Sequence, residues 1–236
     1  MEDPTAGLND ALSVREIGIR SYVVRSGRMT PMQKAALETL YARYGVRWNP
    51  EIKLDAASLF GSEGPFIVEV GFGMGDATVR IAQALPGSRF LGLEVHAPGV
   101  GKLLSELDKQ GVGNVRVCRH DAVEVAEAML APGSVDGFHV FFPDPWPKKR
   151  HHKRRIMQAP FIALLASRLK PGGYLYYVTD WEEYAEATLE ALSAEPLLRN
   201  AHERWAEREP WRPVTKFERR AINEGRPVRE LKFLRT

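Results

Sequence analysis

The 236-residue sequence predicts an α/β fold: a doubly wound, Rossmann-like, mostly parallel sheet with an antiparallel edge at its C-terminal end. Three observations carry that prediction. Short apolar runs alternate with helical stretches of roughly ten to fifteen residues, the pattern of right-handed βαβ units. The first run of the series ends in a glycine-rich turn, Gly71-Phe72-Gly73-Met74-Gly75. Late in the chain the texture changes to two extended stretches, 202–208 and 228–234, which suit antiparallel strands at a sheet edge.

Taken in order, residues 1–18 lack a sustained apolar period and read as a flexible arm ahead of a single domain over 19–236. An arginine-rich polar stretch occupies 20–28. Thr30-Pro31 then sets an N-cap before a proline at the first helical position. Leu37, Leu40, Tyr41 and Tyr44 recur at helical spacing, and Gly45 is placed to stop that helix. Phe66-Ile67-Val68-Glu69-Val70 is a short buried strand, and Val79, Ile81, Ala82 and Leu85 mark one side of the helix behind its glycine turn. Strands over 90–95, 114–118, 137–142 and 174–179 alternate with helices over 99–110, 123–130 and 160–169. No internal repeat or low-complexity tract interrupts the series.

Composition narrows the class. Hydrophobic residues make up 44% and charged residues 27%, which excludes a wholly disordered or fibrous chain. No apolar stretch nears the ~20 residues of a membrane helix. The acidic, polar start Met1-Glu2-Asp3-Pro4-Thr5 is unlike a signal peptide. Cys118 is the only cysteine, too few for an internal disulfide or a thiolate zinc cluster. A reducing, cytoplasmic setting without membrane or metal is the expectation. The net charge is only +3, yet Lys148, Lys149, Arg150, Lys153, Arg154 and Arg155 put six cations into eight residues, so the remainder is net acidic. Charge concentrated in this way suits docking at a defined place. The plainer alternatives for such a run are a solvated face or a localisation signal. His151 and His152 lie inside it, where neighbouring cations repel a metal.

In a doubly wound sheet, ligands bind beyond the carboxyl ends of the strands. The turn after Val70 has glycines at 71, 73 and 75, but the third glycine of a dinucleotide fingerprint is replaced by Asp76, which would repel a pyrophosphate. The spacing Glu-x-Gly-x-Gly-x-Gly suits a ligand that has an adenosine but no phosphate. Backbone at Gly71 and Gly73 can approach it closely, and Glu69 is available for a cationic group. S-adenosylmethionine fits that description. Glu94 ends the next strand, 25 residues after Glu69, where a carboxylate accepts ribose hydroxyls, two of them in the expected geometry. Asp121 follows the third strand, where it or its neighbours could meet the adenine amino group. Alone, each reads as a turn residue or helix cap; three acids ending three consecutive strands read as a site.

The most distinctive stretch is Phe141-Phe142-Pro143-Asp144-Pro145-Trp146-Pro147-Lys148-Lys149. Three prolines stiffen the backbone around one carboxylate, and Trp146 offers a flat face beside it. Here the sequence resembles the bacterial tRNA (guanine-7-)-methyltransferases, class I enzymes that use S-adenosylmethionine. The resemblance covers roughly residues 18–236. It rests on Glu69-Val70-Gly71-Phe72-Gly73-Met74-Gly75, Pro143-Asp144-Pro145-Trp146-Pro147-Lys148-Lys149-Arg150-His151, Thr179-Asp180 and Thr215-Lys216-Phe217-Glu218. It implies a cofactor pocket lined by Glu69, Glu94, Asp121 and Asp144, with Asp144 also catalytic. It further implies that Lys148, Asp180, Thr215, Lys216, Phe217 and Glu218 contact the target nucleoside. Arg150, His151, His152, Lys153, Arg154 and Arg155 would grip the RNA, whose implied target is the guanine at position 46 of the tRNA variable loop.

The chemistry agrees with those residue types. Guanine N7 has an in-plane lone pair and no proton, so no general base is needed, and a fixed carboxylate can stabilise the cation that forms. Asp144 and Asp180 could accept from guanine N1–H and its amino group, a donor pair that adenine lacks. The alternatives are a class I methyltransferase acting on another RNA or a small molecule, an RNA-binding module with a dead site, and a nicotinamide-dependent oxidoreductase. Trp205 and Trp211 could stack on bases, although core packing is the plainer reading. The oligomeric state is left open, with a monomer favoured.

Overall fold

The computed structural model describes Tyr22 and residues 28–236, so the expected arm over 1–18 and most of the arginine-rich stretch lie outside the described residues. Helix α1 (Pro31–Tyr44) begins as expected: the Thr30 hydroxyl accepts from Gln33 N, and the Gln33 side chain accepts from Thr30 N. Gly45 ends it and also starts a two-residue strand, β1 (Gly45–Val46). There follow α2 (Ala56–Phe60), β2 (Phe66–Val70), α3 (Asp76–Ala84), β3 (Arg89–Leu93), α4 (Ala97–Lys109), β4 (Val115–Cys118), α5 (Ala122–Ala128) and β5 (Val135–Phe141). A 3-10 turn over Lys149–Arg154 leads to α6 (Ala159–Arg168), β6 (Leu169–Thr179), α7 (Glu182–Ser193), β7 (Leu198–Asn200), α8 (Lys216–Asn223) and β8 (Arg229–Arg235).

The strands form one sheet in the order β1-β4-β3-β2-β5-β6-β8-β7. The first six are mutually parallel, while β8 runs antiparallel to both β6 and β7. All five residues of β2 are buried, because helices cover both sides of the sheet. Their side chains alternate between two cores. Phe66, Val68 and Val70 join the core under α2, α5, α6 and α7, and Ile67 joins the core under α1, α3 and α4. Since β2 lies between β3 and β5, the direction of winding reverses there, and a crevice opens at its carboxyl end.

The antiparallel edge is present, but one of its strands is not where the sequence places it. The stretch 202–208 is irregular, and the edge strand is β7, a few residues earlier. Asn200 is the physical reason. Its side chain donates to Arg204 O at 2.9 Å and accepts from His202 N at 3.1 Å, which turns the backbone off the sheet. Trp205 packs against the core, and Trp211 stacks on His139 at 5.1 Å, so both tryptophans are structural. His139 is fully buried; burial pushes its pKa down to about 3 and keeps the ring neutral. Burial pushes the Cys118 thiol up to about 12, leaving it a small apolar side chain. Among the described residues no helix is long and apolar enough to cross a membrane, and no group of three or more His, Cys, Asp or Glu could hold a metal.

Candidate active site

A cleft of about 1290 Å³ opens at the carboxyl ends of β2, β3 and β5. Its floor is the turn after β2. Gly71 and Gly73 have φ of +73° and +60°, and a side chain on either would meet nothing within 4 Å, so bare backbone faces open space. Gly75, at φ +76°, serves packing instead: a Cβ there would lie 2.8 Å from Leu103 of α4. Glu69 lies beneath this turn, 3% exposed. Burial raises its pKa to about 7, and the nearby charge of Glu94 acts in the same direction.

Glu94 is held by backbone. It accepts from Gly73 N at 2.9 Å, Val95 N at 2.7 Å and His96 N at 2.9 Å. A carboxylate has about four acceptor positions, so one remains for a ribose hydroxyl rather than the two expected. The bond to Gly73 gives Glu94 a second task, pinning the glycine turn. Burial raises its pKa against the opposing pull of these N–H groups. Asp121 caps α5, its Oδ1 accepting from Val123 N at 2.7 Å and Glu124 N at 3.2 Å. Its neighbours His120 and Ala122 line the cleft. The sequence reading did not single out His120, which is buried, stacks on Trp48 at 4.7 Å and lies 2.6 Å from Glu124.

Asp144 stands exposed on the cleft wall. The loop carrying it is stiffened by more than proline. Phe142 and Trp146 have φ of +49° and +46°, a region that costs non-glycine residues energy and survives only where surroundings enforce it. Phe142 N donates to Val178 O at 2.7 Å. Arg155 Nε donates to Pro145 O at 2.8 Å, while the same guanidinium forks onto Glu183 and lies over the Tyr184 ring at 4.6 Å. Arg155 is 6% exposed. The structure thus separates it from the other cations of the run: it braces the loop from below, and its donors are used internally. Lys148, Arg150 and Lys153 are exposed, with His151, His152 and Arg154 half-buried; Arg154 lies 5.2 Å over the Trp146 ring.

The late motif also divides. Thr215 and Glu218 form a reciprocal cap on α8, with Thr215 Oγ1 accepting from Glu218 N at 3.1 Å. Glu218 is 1% exposed and held by Arg212 and Arg208. It is turned into the protein, a consequence of being the third helical residue of a Thr-x-x-Glu capping box, a signal legible in the sequence. Lys216 and Phe217 face outward on the cleft, and Phe217 stacks 6.2 Å from Phe142. Asp180 is ion-paired to Arg226, which also binds Glu224. The structure therefore gathers Glu69, Gly71, Gly73, Glu94, Asp144, Thr215, Lys216 and Phe217 around one cleft, while Asp180, Glu218 and Arg155 have arginine or carboxylate partners inside the protein.

Residues 63–231 match the family described as "Putative methyltransferase". The chain is 54% identical over 218 residues to an Acidovorax sp. protein named tRNA (guanine-N(7)-)-methyltransferase, covering 92% of this chain and 86% of that one. A protein of the same name from Burkholderia vietnamiensis is 50% identical over 232 residues, 98% of this chain and 91% of that one. Among solved structures, the 16S rRNA (adenine(1408)-N(1))-methyltransferase of Catenulisporales acidiphilia superposes with a TM-score of 0.55 at 19% identity, over 80% of this chain and 92% of that one. The antibiotic-resistance methyltransferase Kmr gives 0.55 at 15% identity, over 80% and 94%. These structural likenesses concern the fold alone.

A winding reversal with a glycine turn and carboxylates at its crevice, in a chain matched by that family, defines a methyltransferase of the class I fold. Within that class, the chain belongs to the tRNA (guanine-N(7)-)-methyltransferase family.

Proposed function

We propose that this protein methylates N7 of a guanine in tRNA, at position 46 of the variable loop, using S-adenosylmethionine. The observation that carries the reading is the Asp144 loop. A strained, braced turn presents one carboxylate, without an ion-pair partner among the described residues, between a glycine-floored cleft and an exposed aromatic, with a cationic turn directly behind it.

The cleft fits the cofactor on three counts. Gly71 and Gly73 leave bare backbone beside open space, Glu94 keeps an acceptor position for a ribose hydroxyl, and Glu69 is a buried acid whose anion a cationic ligand would stabilise. Bound there, S-adenosylmethionine supplies an electrophilic methyl group on a positively charged sulfur. The chain's own work is placement and charge. Phe217 gives the guanine a face to stack on, and Lys216 and Lys148 offer donors to it. Asp144 accepts from the guanine edge and stabilises the positive charge that develops as N7 is alkylated. Because N7 is unprotonated, no side chain is asked to remove a proton before attack.

Incubation with methyl-labelled S-adenosylmethionine and unmodified tRNA, followed by nucleoside analysis, tests the reading. Label is expected in 7-methylguanosine and is expected to vanish when position 46 is changed to adenine. Label on another base, or on protein, overturns it.

A further inference from the structure

The 3-10 turn after the Asp144 loop is one cationic surface; α8 carries another, which runs from Lys216 of the late motif on to Arg219 and Arg220, two residues outside the motifs assigned above. Lys216, Arg219 and Arg220 stand at i, i+3 and i+4, so they share one side of the helix, and all three are exposed and line the cleft. Glu218, the only carboxylate within α8, points the other way into its buried pairs with Arg208 and Arg212. Glu224, just past the helix, takes Arg220 and Arg226, each at 2.8 Å. Among the described residues Lys216 and Arg219 then have no carboxylate partner.

This arrangement is electrostatically adverse for an isolated protein. Lys216 is the first residue of α8, at the positive end of the helix dipole, and like charges at these spacings repel. A polyanion relieves both effects. Phe217, 63% exposed, stands among the cations, and rings interleaved with cations take up unpaired nucleotides, the ring against a base and the cations on phosphates. The position relative to the loop is informative as well. Phe217 stacks on Phe142 at the loop's start, whereas the loop's far end runs through Lys148 into the cationic turn. Asp144 therefore sits between two cationic surfaces.

We propose that the Lys216, Arg219 and Arg220 face of α8 is a second docking surface for RNA backbone, binding phosphates on one side of the target nucleotide while the 149–154 turn binds those on the other. This rests on the tRNA reading above and adds a surface to it.

The test is binding of unmodified tRNA over a range of salt concentrations, with S-adenosylmethionine affinity and melting temperature measured alongside. The variants are Arg219→Ala with Arg220→Ala, the same pair changed to lysine, and Arg150→Ala with Lys153→Ala and Arg154→Ala. The alanine pair is expected to weaken tRNA binding and flatten the log–log salt slope by up to about 0.7–0.9 per lost contact. The lysine pair should retain the slope, and combining the alanine pair with the turn variant should add the two losses, because separate phosphates are involved. Cofactor affinity and melting temperature should hold. An unchanged slope in the alanine pair, in a protein whose parent methylates tRNA, makes α8 a solvated face and overturns the inference alone. A parent protein that transfers no label to tRNA overturns the tRNA reading, and this inference with it.

Discussion

The two walls of the cleft use carboxylates in opposite ways. On the wall formed by the ends of β2, β3 and β4, acids are held by backbone: Glu94 by Gly73, Val95 and His96, and Asp121 by Val123 and Glu124. On the C-terminal wall they are held by arginines: Glu218 and Glu230 by Arg212, Asp180 by Arg226, and below the loop Glu183 by Arg155. An N–H donor positions a carboxylate without cancelling its charge, so the first wall can still meet a ligand. A guanidinium fork uses up both charge and lone pairs, so the second wall is scaffold that carries Lys216 and Phe217. Asp144 belongs to neither pattern, since it is fixed by the strained backbone around it.

The largest expected effect tests the scaffold. Arg212 is 2% exposed and joins Glu218 at the head of α8 to Glu230 in β8. Arg212→Met fills the space but leaves two buried carboxylates to share the partly exposed Arg208. Removing one partner from a buried ionic cluster costs about 3–5 kcal/mol, or on the order of 10 °C in melting temperature for a chain of this length. Calorimetric unfolding would check it. An unchanged melting temperature would mean that these acids are satisfied without Arg212, and the contrast between the walls would collapse.

Next in size is Asp144→Asn, which keeps the shape of the side chain and removes its charge. If the carboxylate stabilises the developing guaninium, single-turnover methylation should fall ~10²–10³-fold, about 3–4 kcal/mol, with little change in tRNA affinity. A parallel fall in affinity would make it mainly a base acceptor. Near-normal single-turnover rates would remove it from the chemistry.

The same contrast explains what could be read in the sequence. The strands, the glycine turn and the acids that end the strands were legible because their partners are close in the chain: Glu94 reaches Val95 and His96, and β2 announces itself as an apolar run. The pairs on the other wall span 46 residues for Asp180 with Arg226 and 28 for Arg155 with Glu183, and no local pattern encodes such distances. Arg155 accordingly read as one more cation of a surface run, when burial had turned it under the loop. The misplaced edge strand has a similar cause, since the Asn200 turn that displaces 202–208 is a side-chain effect within an extended-looking stretch. Glu218 is different: its Thr-x-x-Glu spacing is a local capping signal, and that plainer role is the one the fold gives it.

A smaller effect should come from Glu94→Gln. The amide retains one acceptor oxygen, but its NH₂ must face a backbone N–H that the carboxylate now accepts from. Losing charge-assisted bonds to the ribose and to Gly73 should weaken cofactor binding by ~1.5–3 kcal/mol, roughly ten- to hundredfold. Titration calorimetry would measure it, with melting temperature as the control for folding. Unaltered affinity in a folded variant would place the ribose elsewhere and leave Glu94 as the pin of the glycine turn alone.

The smallest effect concerns Glu69 and is a dependence on pH. Burial, with the charge of Glu94 added, holds its pKa at about 7. Below that pH the carboxyl is neutral, and above it is an anion in a dry setting beside the cleft. A cationic cofactor interacts with the anion, so affinity should rise between pH 6 and 7.5, by at most about tenfold per unit below the pKa and less above it. Binding near neutrality should also release a proton, detectable as a buffer-dependent heat. The sign for folding is opposite. A pKa raised from 4.5 to about 7 means that the folded chain keeps a proton the unfolded chain gives up, so stability of the unliganded protein should decline as pH rises from 4.5 to about 7 and level off above it. Glu69→Gln should remove both dependences, leaving cofactor affinity weaker but level with pH. If wild-type affinity is flat from pH 6 to 7.5, the cationic group does not lie against Glu69, and the acidic contacts left on that wall are the backbone-held carboxylates.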